Sequence, residues 1–321
     1  MPVRLGCVSF NPRNTPIQIN RSSRRLISIY VHYPYCTSKC TYCNFNKYTL
    51  PANLNYLRLE KAYLTDLTHD LSELDQTKQT INSIYFGGGT PSLAKPTLVE
   101  NILKLLFIDL NFKPAVDLEV TLEANPTRLE AQSLKDFKAA GVNRLSLGIQ
   151  SLDNDDLKFF GRDHNVNEAL QAITLAQSLF ENVSLDFIWG RPGHTTDQWE
   201  LELSQILSFG ANHLSLYQLT VENGTPLAKL ASKSSNRNLF PCEDTLVDMF
   251  QLTQELTQRG GYGQYEVSSY AKDGLSSNRS KHNQGYWNGN DYIGIGPGAH
   301  GRLFKADNIR YRTYRVTHIK L

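Results

Sequence analysis

Three closely spaced cysteines carry the most specific chemical signal in the sequence. Cys36, Cys40 and Cys43 form a C-x3-C-x2-C run just after the apolar stretch at residues 29–31. Soft thiolates at such short spacing are ligands for zinc or for an iron–sulfur cluster. A structural zinc site needs a fourth ligand nearby, and the next cysteine, Cys242, is almost 200 residues away. The run therefore predicts a [4Fe–4S] cluster that is held by three thiolates and has one iron open to a small ligand.

Alternating strand and helix patterns must position this run. Longer segments with helical periodicity, at residues 53–74, 96–110, 129–140, 168–180 and 197–209, separate short β-rich runs. Such alternation predicts parallel strands joined by right-handed crossovers. The six units are too few for a closed eight-stranded barrel, so we expect an α/β fold, a partial (βα)6 barrel. The predicted strands are residues 28–32, 83–86, 118–122, 144–149, 183–188 and 214–219.

Polar or glycine residues follow or end each predicted strand. The cysteine run follows the first strand, the residues 87–91 (Gly-Gly-Gly-Thr-Pro) follow the second, and Glu123 follows the third. Gln150 follows the fourth strand, Asp186 lies in the fifth and Gln218 lies in the sixth. Barrel enzymes build their sites at the carboxyl ends of the strands. We therefore expect these side chains to surround the cluster.

The pattern changes near residue 241. A helix is predicted at residues 243–259 and a short strand at 265–268, followed by a polar stretch rich in glycine and aromatic residues at 278–301. The glycines of residues 291–300 predict tight packing over the cofactor. We accordingly divide the chain into a leader (1–25), the partial barrel (26–240) and a C-terminal extension (241–321).

Composition excludes several classes of protein. The 321 residues carry a net charge of +2, which argues against nucleic acid as a partner, and no apolar run is long enough for a transmembrane segment. Five cysteines do not make a disulfide framework, which favours a reducing compartment. Residues 1–59 contain no Asp or Glu and several arginines, which is typical of a mitochondrial transit peptide. The alternative is a basic tail without targeting function, in a cytoplasmic protein.

These motifs together resemble those of a known family. The cysteine run with residues 30–34 (Tyr-Val-His-Tyr-Pro), the residues 85–92 (Tyr-Phe-Gly-Gly-Gly-Thr-Pro-Ser) and the stretch 282–301 resemble the radical S-adenosylmethionine (SAM) family that contains the oxygen-independent coproporphyrinogen III oxidases. The chain is more similar to the HemW-like branch, whose members are regarded as haem chaperones, and in particular to its animal mitochondrial members. The resemblance covers about residues 26–305 and ends before the C-terminal domain of the family, so we expect a shortened chain.

The resemblance implies the cofactors and their contacts. It implies a [4Fe–4S] cluster on Cys36, Cys40 and Cys43, with SAM chelating the open iron. Carboxylates suit the ribose hydroxyls of SAM, and an arginine suits its carboxylate. The positions that match SAM contacts of the family are Tyr30, Tyr42, Gly88, Gly89, Thr90, Glu123, Gln150, Arg162 and Asp186.

Two features bear on the choice between branches. The oxidases carry a further cysteine two positions after the third, where this chain has Phe45. The residues His282, Tyr286 and Trp287 match an H-N-x-x-Y-W signature of the HemW-like branch. Imidazole is a common axial haem ligand, and aromatic rings pack against porphyrins. His282 is therefore either a haem ligand or a support for a loop that closes the barrel; His32 and His300 are secondary candidates for haem.

Three hypotheses follow for the function. The first is a binding protein that carries haem as cargo to haem-accepting proteins such as those of respiration. The second is a coproporphyrinogen III oxidase that cleaves SAM reductively and decarboxylates propionates, which Phe45 argues against. The third is a radical SAM enzyme whose substrate is unrelated to tetrapyrroles; it fits the barrel motifs equally well but leaves the last 40 residues unexplained.

Overall fold

The computed structural model describes residues 25–72, 74–233, 239–304 and 310–316. The predicted leader, residues 1–25, lies outside the described residues except for Arg25, which begins the first strand. The strands are β1 (Arg25–Tyr33), β2 (Tyr35–Cys36), β3 (Tyr48–Thr49), β4 (Gln79–Gly88), β5 (Lys113–Ala124), β6 (Arg144–Gln150), β7 (Asn182–Trp189), β8 (His213–Gln218), β9 (Tyr262–Gln264), β10 (Ser269–Lys272), β11 (Asp291–Ile295), β12 (His300–Phe304) and β13 (Arg310–Tyr314). The helices are α1 (Tyr56–Ser72), α2 (Pro96–Lys104), α3 (Arg128–Ala139), α4 (Asn154–Phe160), α5 (Val166–Leu179), α6 (Thr196–Ser208), α7 (Pro226–Ala231), α8 (Glu243–Arg259) and α9 (Lys281–Trp287).

Six parallel strands form the centre of one twisted sheet. Their order is β1-β4-β5-β6-β7-β8, the order of the sequence, and among the described residues the sheet does not close on itself. Because every crossover moves in the same direction, right-handed connections place the helices between these strands on one face. This is the partial (βα)6 barrel that the sequence predicts, and the fold class is confirmed.

The two faces of the strands differ in chemistry because side chains alternate along a strand. On the face toward the helices, Ile27, Ile29 and Val31 of β1 are fully buried in one apolar core with Leu67 of α1 and Trp199 of α6. The opposite face, here called the inner face, is mainly polar and largely buried. It carries Ser28, Tyr30, Ser83, Tyr85, Glu119, Glu123, Arg144, Ser146, Ser184, Asp186, His213 and Ser215.

Local sequence explains where the helices begin. Asn165 and Glu168 form a capping box at α5, and Thr195 and Gln198 form one at α6, so each side chain satisfies a free backbone N–H of the first turn. The positive φ of Gly161, +71°, ends α4.

The C-terminal extension widens the same sheet on both edges. β11 pairs in parallel with β1 and is followed by β12 and β13, while β10 and β9 pair beyond β8. Strands from both sides of residue 240 thus share one sheet. The strand predicted at residues 265–268 is wrong: these residues form the turn between β9 and β10, and Val267 there is 75% exposed.

Two further expectations need correction. The glycines of residues 291–300 do not lie over the cleft described below. A Cβ on Gly294 would meet the His300 carbonyl oxygen at 2.1 Å, and one on Gly296 would meet that of His32 at 2.4 Å, so these glycines allow close packing of neighbouring backbones. Part of the polar stretch forms a helix, α9, which the sequence pattern does not predict. None of the helices in the described ranges is long and apolar enough to cross a bilayer.

Candidate functional site

A cleft of about 440 Å³ lies at the carboxyl ends of the parallel strands. All three cysteines of the run border it. Of the nine residues that the family resemblance assigns to SAM, eight border it as well; only Tyr30 does not. The eight are Tyr42, Gly88, Gly89, Thr90, Glu123, Gln150, Arg162 and Asp186.

The cysteine loop is fastened at its base and at its tip. The short strands β2 and β3 pair in parallel, which brings Cys36 beside Thr49 and closes the loop. At the tip, the Thr41 amide donates to the Phe160 carbonyl at 3.0 Å, and its hydroxyl donates to the Phe159 carbonyl at 3.0 Å. Cys36 is buried, which raises the pKa of its thiol. Among the described residues, no three His, Cys, Asp or Glu side chains are gathered as a ready metal site.

Arg162 reaches into the cleft beside the cysteine loop. One terminal nitrogen, Nη1, donates to Cys40 Sγ at 3.3 Å, and Nη2 donates to Asn125 Oδ1 at 2.6 Å and to the Gly148 carbonyl at 2.9 Å. Its Nε–H is buried and has no partner among the residues that the structure describes. A buried, unsatisfied donor on a guanidinium is costly unless a ligand accepts from it. The group therefore suits an anionic ligand placed next to the thiolates, as the carboxylate of SAM would be.

Two half-buried carboxylates also form part of the cleft wall. Glu123 accepts from the Tyr85 hydroxyl at 2.7 Å and from the Gly88 amide at 3.2 Å, and burial, reinforced by nearby Asp186, raises its pKa to about 7. Asp186 accepts from Ser146 at 2.7 Å, and burial raises the pKa of Asp186 as well. Carboxylates held in this way can accept hydrogen bonds from ligand hydroxyls. The wall therefore fits a ribose.

Gly88 and Gly89 border the cleft, but the fold already requires them. Gly88 has a φ of +111°, and a Cβ there would meet the His32 imidazole at 2.6 Å. A Cβ on Gly89 would meet the Tyr35 carbonyl oxygen at 2.7 Å, and the Gly89 amide donates to the Tyr33 carbonyl. The absence of a Cβ at both positions thus lets the end of β4 pack closely against the segment that leads to Cys36. Gln150, also in the cleft, holds a strained φ of +73°.

Sequence reasoning missed several residues that support the cleft. Asn125 donates to Thr90 Oγ1 at 3.2 Å in addition to accepting from Arg162, and Glu130 accepts from the Asn125 amide at 2.8 Å. Ser146, which orients Asp186, also borders the cleft. Their positions in the sequence could have indicated this role. Asn125 directly follows the end of a predicted strand. Ser146 lies four residues before Gln150, and residues an even number apart on a strand have side chains on the same face.

The residues predicted for haem lie at the other end of the inner face, on α9. His282 is 1% exposed, and its Nδ1 lies 3.1 Å from Ser83 Oγ and its Nε2 2.9 Å from the Tyr286 hydroxyl. Burial lowers the pKa of His282 to about 3, so the ring is neutral. Both nitrogens are thus engaged within the protein. This geometry corresponds to the loop-supporting alternative of the two that the sequence leaves open.

The other two residues of the signature are more accessible. Trp287 is 71% exposed, and with Tyr286 it lines a shallow cavity of about 380 Å³. Tyr30 lies above them on the inner face, stacked on Tyr85 with ring centroids 6.1 Å apart. His32 is buried, with Nε2 2.8 Å from the Asn46 carbonyl, whereas His300 is exposed.

The fold and the cleft together define a radical SAM protein, and comparison with known proteins agrees. Residues 30–204 match the profile of the Radical SAM superfamily, to which the chain belongs. The structure of the Escherichia coli coproporphyrinogen III oxidase HemN superposes with a TM-score of 0.72 over 88% of this chain and 66% of that one, at 21% identity. At that identity the likeness shows the fold alone.

Within the superfamily the chain belongs to the HemW-like family. It is 36% identical to the protein named heme chaperone HemW of Escherichia coli, over 91% of this chain and 74% of that protein. It is 42% identical to "Radical S-adenosyl methionine domain-containing protein 1, mitochondrial" of Danio rerio, over 86% of this chain. The chain spans about 60% of the length of that relative and of its mouse counterpart.

Proposed function

We propose that this chain is the radical SAM core of a haem chaperone, which binds haem and transfers it to haem proteins. The observation that carries the proposal is the lining of the cleft, where three thiols and eight SAM-type residues meet while Phe45, 64% exposed, stands where the oxidases carry a cysteine. Relatives of 36–38% identity that bear the name heme chaperone HemW support it.

The cleft residues divide the work of cofactor binding. Cys36, Cys40 and Cys43 would hold the [4Fe–4S] cluster, which supplies an electron to SAM when both are bound. Arg162 offers its free Nε–H to the carboxylate of SAM. Glu123 and Asp186 accept from the ribose hydroxyls, and the Gly88 amide fixes the orientation of Glu123.

Haem is assigned to the opposite end of the barrel. Tyr286 and Trp287 present aromatic surface there, and buried His282 holds the helix that carries them. Cargo and SAM then lie at different ends of the barrel. The expected partners are proteins that accept haem, such as respiratory haem enzymes.

The proposed location is the mitochondrion. Four of the relatives carry mitochondrial in their names. The arginine-rich, acid-free segment that resembles a transit peptide lies outside the described residues apart from residues 25–59.

An anaerobic hemin titration of the cluster-reconstituted protein tests the proposal. We expect near-stoichiometric haem that survives a desalting column and passes to an apo haem protein, as followed by the Soret band. Trp287→Ala should weaken retention, whereas Leu201→Ala, which removes an equally exposed apolar side chain on α6, should not. Loss of haem on the column, together with SAM-dependent decarboxylation of coproporphyrinogen III under a reductant, would instead establish the oxidase.

A further inference from the structure

The outer surface where α9 meets the strands added beyond β1 combines aromatic rings with two arginines that form no salt bridge to a described residue. The cavity of about 380 Å³ opens here, and Tyr286, Trp287, Tyr292 and Arg302 all line it. We call this surface the arginine–aromatic face. Its members are Tyr286, Trp287, Tyr292, His300, Arg302 and Arg312.

Arg302 is half-buried, and its charge acts on the carboxylate of nearby Asp291 without forming a salt bridge with it. No hydrogen bond or ion pair joins it to any other residue that the structure describes, and its Nε is buried without an acceptor. Its guanidinium lies over the Tyr292 ring, 5.6 Å from the centroid. Arg312 stands directly opposite on β13, and like charges in that position destabilise a strand pair. Glu266 also lines the cavity, but its carboxylate accepts from the Trp287 indole N–H, so the two adjacent arginines remain as the site for an anion.

The aromatic members define the shape of that anion. Tyr286 and Tyr292 pack edge to face with ring centroids 4.6 Å apart. The indole N–H of Trp287 already donates to Glu266 at 2.6 Å, so only its apolar ring faces remain for a ligand. Exposed aromatic faces beside arginines suit a flat apolar molecule with acidic groups at one edge.

His300 supplies what a metal-containing ligand would need. It is exposed, and neither ring nitrogen hydrogen-bonds to another described residue. Its ring centroid lies 5.8 Å from that of Tyr292. Residues two apart on a strand point to the same side, so His300 and Arg302 share this face about 6.6 Å apart along β12. His282 offers no such nitrogen, because Ser83 and Tyr286 occupy both.

We propose that haem binds on the arginine–aromatic face, with His300 as the axial ligand of the iron and Arg302 and Arg312 pairing with the propionates. Trp287 then lies against the porphyrin, while buried Tyr292 supports the Arg302 guanidinium. This inference rests on the proposed haem chaperone function and specifies its site. Haem meets the three requirements of the face: a planar apolar ring, carboxylates at one edge, and a metal that imidazole binds.

Hemin titrations of the reconstituted protein, in the parent and in single variants, test the site. His300→Ala should lower haem affinity at least tenfold and shift the Soret band, and added imidazole should restore the spectrum. His300→Gln, which keeps a polar side chain, should behave like His300→Ala. His69→Ala, at an exposed histidine of α1, should match the parent.

The arginines are tested with a second ligand. Arg302→Gln should weaken binding of hemin several-fold and leave binding of its dimethyl ester, which lacks free propionates, unchanged. Arg58→Gln on α1 is the matched control. Parent affinity and spectrum in His300→Ala would overturn this site while leaving the chaperone function standing. A parent protein that retains no haem would overturn the function and the site together. Dimerisation that Arg302→Gln abolishes, with haem binding unchanged, would show that the face binds a second copy instead.

Discussion

The imidazole of His282 stacks on the ring of Tyr85, with centroids 4.9 Å apart and an interplanar angle of 29°. The hydroxyl of the same tyrosine donates to Glu123 in the SAM cleft. One side chain therefore touches both the helix assigned to haem and the wall assigned to SAM. Contacts of this kind are a route by which occupation of one end can affect the other.

Removing only the hydroxyl separates the two contacts. In Tyr85→Phe the ring still packs on His282, but Glu123 loses a donor that lowers its pKa, so its pKa rises above about 7. We expect SAM affinity at neutral pH to fall about tenfold, the usual worth of a hydrogen bond to a charged group. Raising the pH should restore part of it, as measured by equilibrium dialysis.

A second tyrosine provides the control for this variant. Tyr262→Phe removes a buried hydroxyl that donates to the Ala211 carbonyl away from the cleft. It should lose stability without losing SAM affinity. Equal SAM binding by Tyr85→Phe and the parent across the pH range would refute the role given to Glu123.

Glu123→Gln should stabilise the fold while weakening SAM binding. The pKa of Glu123 is about 7 in the folded protein against an ordinary 4.5, so its contribution to stability is present below pH 4.5 and lost as the pH rises to 7. The neutral amide avoids that loss, on the order of 3 kcal/mol at about pH 8. Urea unfolding at about pH 8 and about pH 4 should show the gain only at the higher pH.

Cys40→Ala should abolish the brown absorbance of the reconstituted cluster and leave the far-ultraviolet circular dichroism unchanged. Cys40 is half-buried on a loop that is fastened by backbone and threonine contacts instead of by its thiol. The control variant Cys242→Ala should take up a full cluster, because Cys242 is exposed and lies just before α8. A full cluster in Cys40→Ala would remove that residue from the ligand set.

Gly88→Ala should be far more damaging than Gly193→Ala, although both glycines have positive φ. A Cβ at residue 88 would meet the His32 ring at 2.6 Å, whereas one at residue 193 meets nothing within 4 Å. Backbone strain alone costs about 1–2 kcal/mol. We expect Gly193→Ala to lose about that much and Gly88→Ala at least twice as much by urea unfolding. Equal losses would mean that the His32 contact relaxes freely.

Local pattern was sufficient for the barrel because each strand and helix buries an apolar stripe of ordinary period. The predicted segment 243–259 coincides with α8, and the predicted segment 144–149 differs from β6 by one residue. That Glu123, Gln150 and Asp186 lie near the cysteine run followed from the rule that parallel strands end at one edge of a sheet, whereas their assignment to SAM came from the family resemblance.

The helix α9 and its contacts with the inner face could not be predicted from local sequence patterns. α9 has no apolar stripe, and the partners that bury His282 come from β4 and β5, far away in sequence. Gly88 and Gly89 were predicted to face the ligand. In the structure a Cβ at these positions is excluded by the His32 ring and by neighbouring backbone atoms, and the sequence alone does not place those groups beside the glycines. Likewise residues 265–268 have strand-forming composition but connect two strands that pair with each other.

The polar inner face also constrains the order in which the chain can fold. Ser83 and His282 are separated by 199 residues, and Glu119, which accepts from the His282 amide at 3.2 Å, by 163. Contacts between such distant parts of a chain form slowly, and the parallel strands are made long before α9 during synthesis. Until the helix docks, Glu119 and Arg144 face water. Docking of α9 is thus a late folding step, so a docked α9 indicates that the parallel strands beneath it have already assembled.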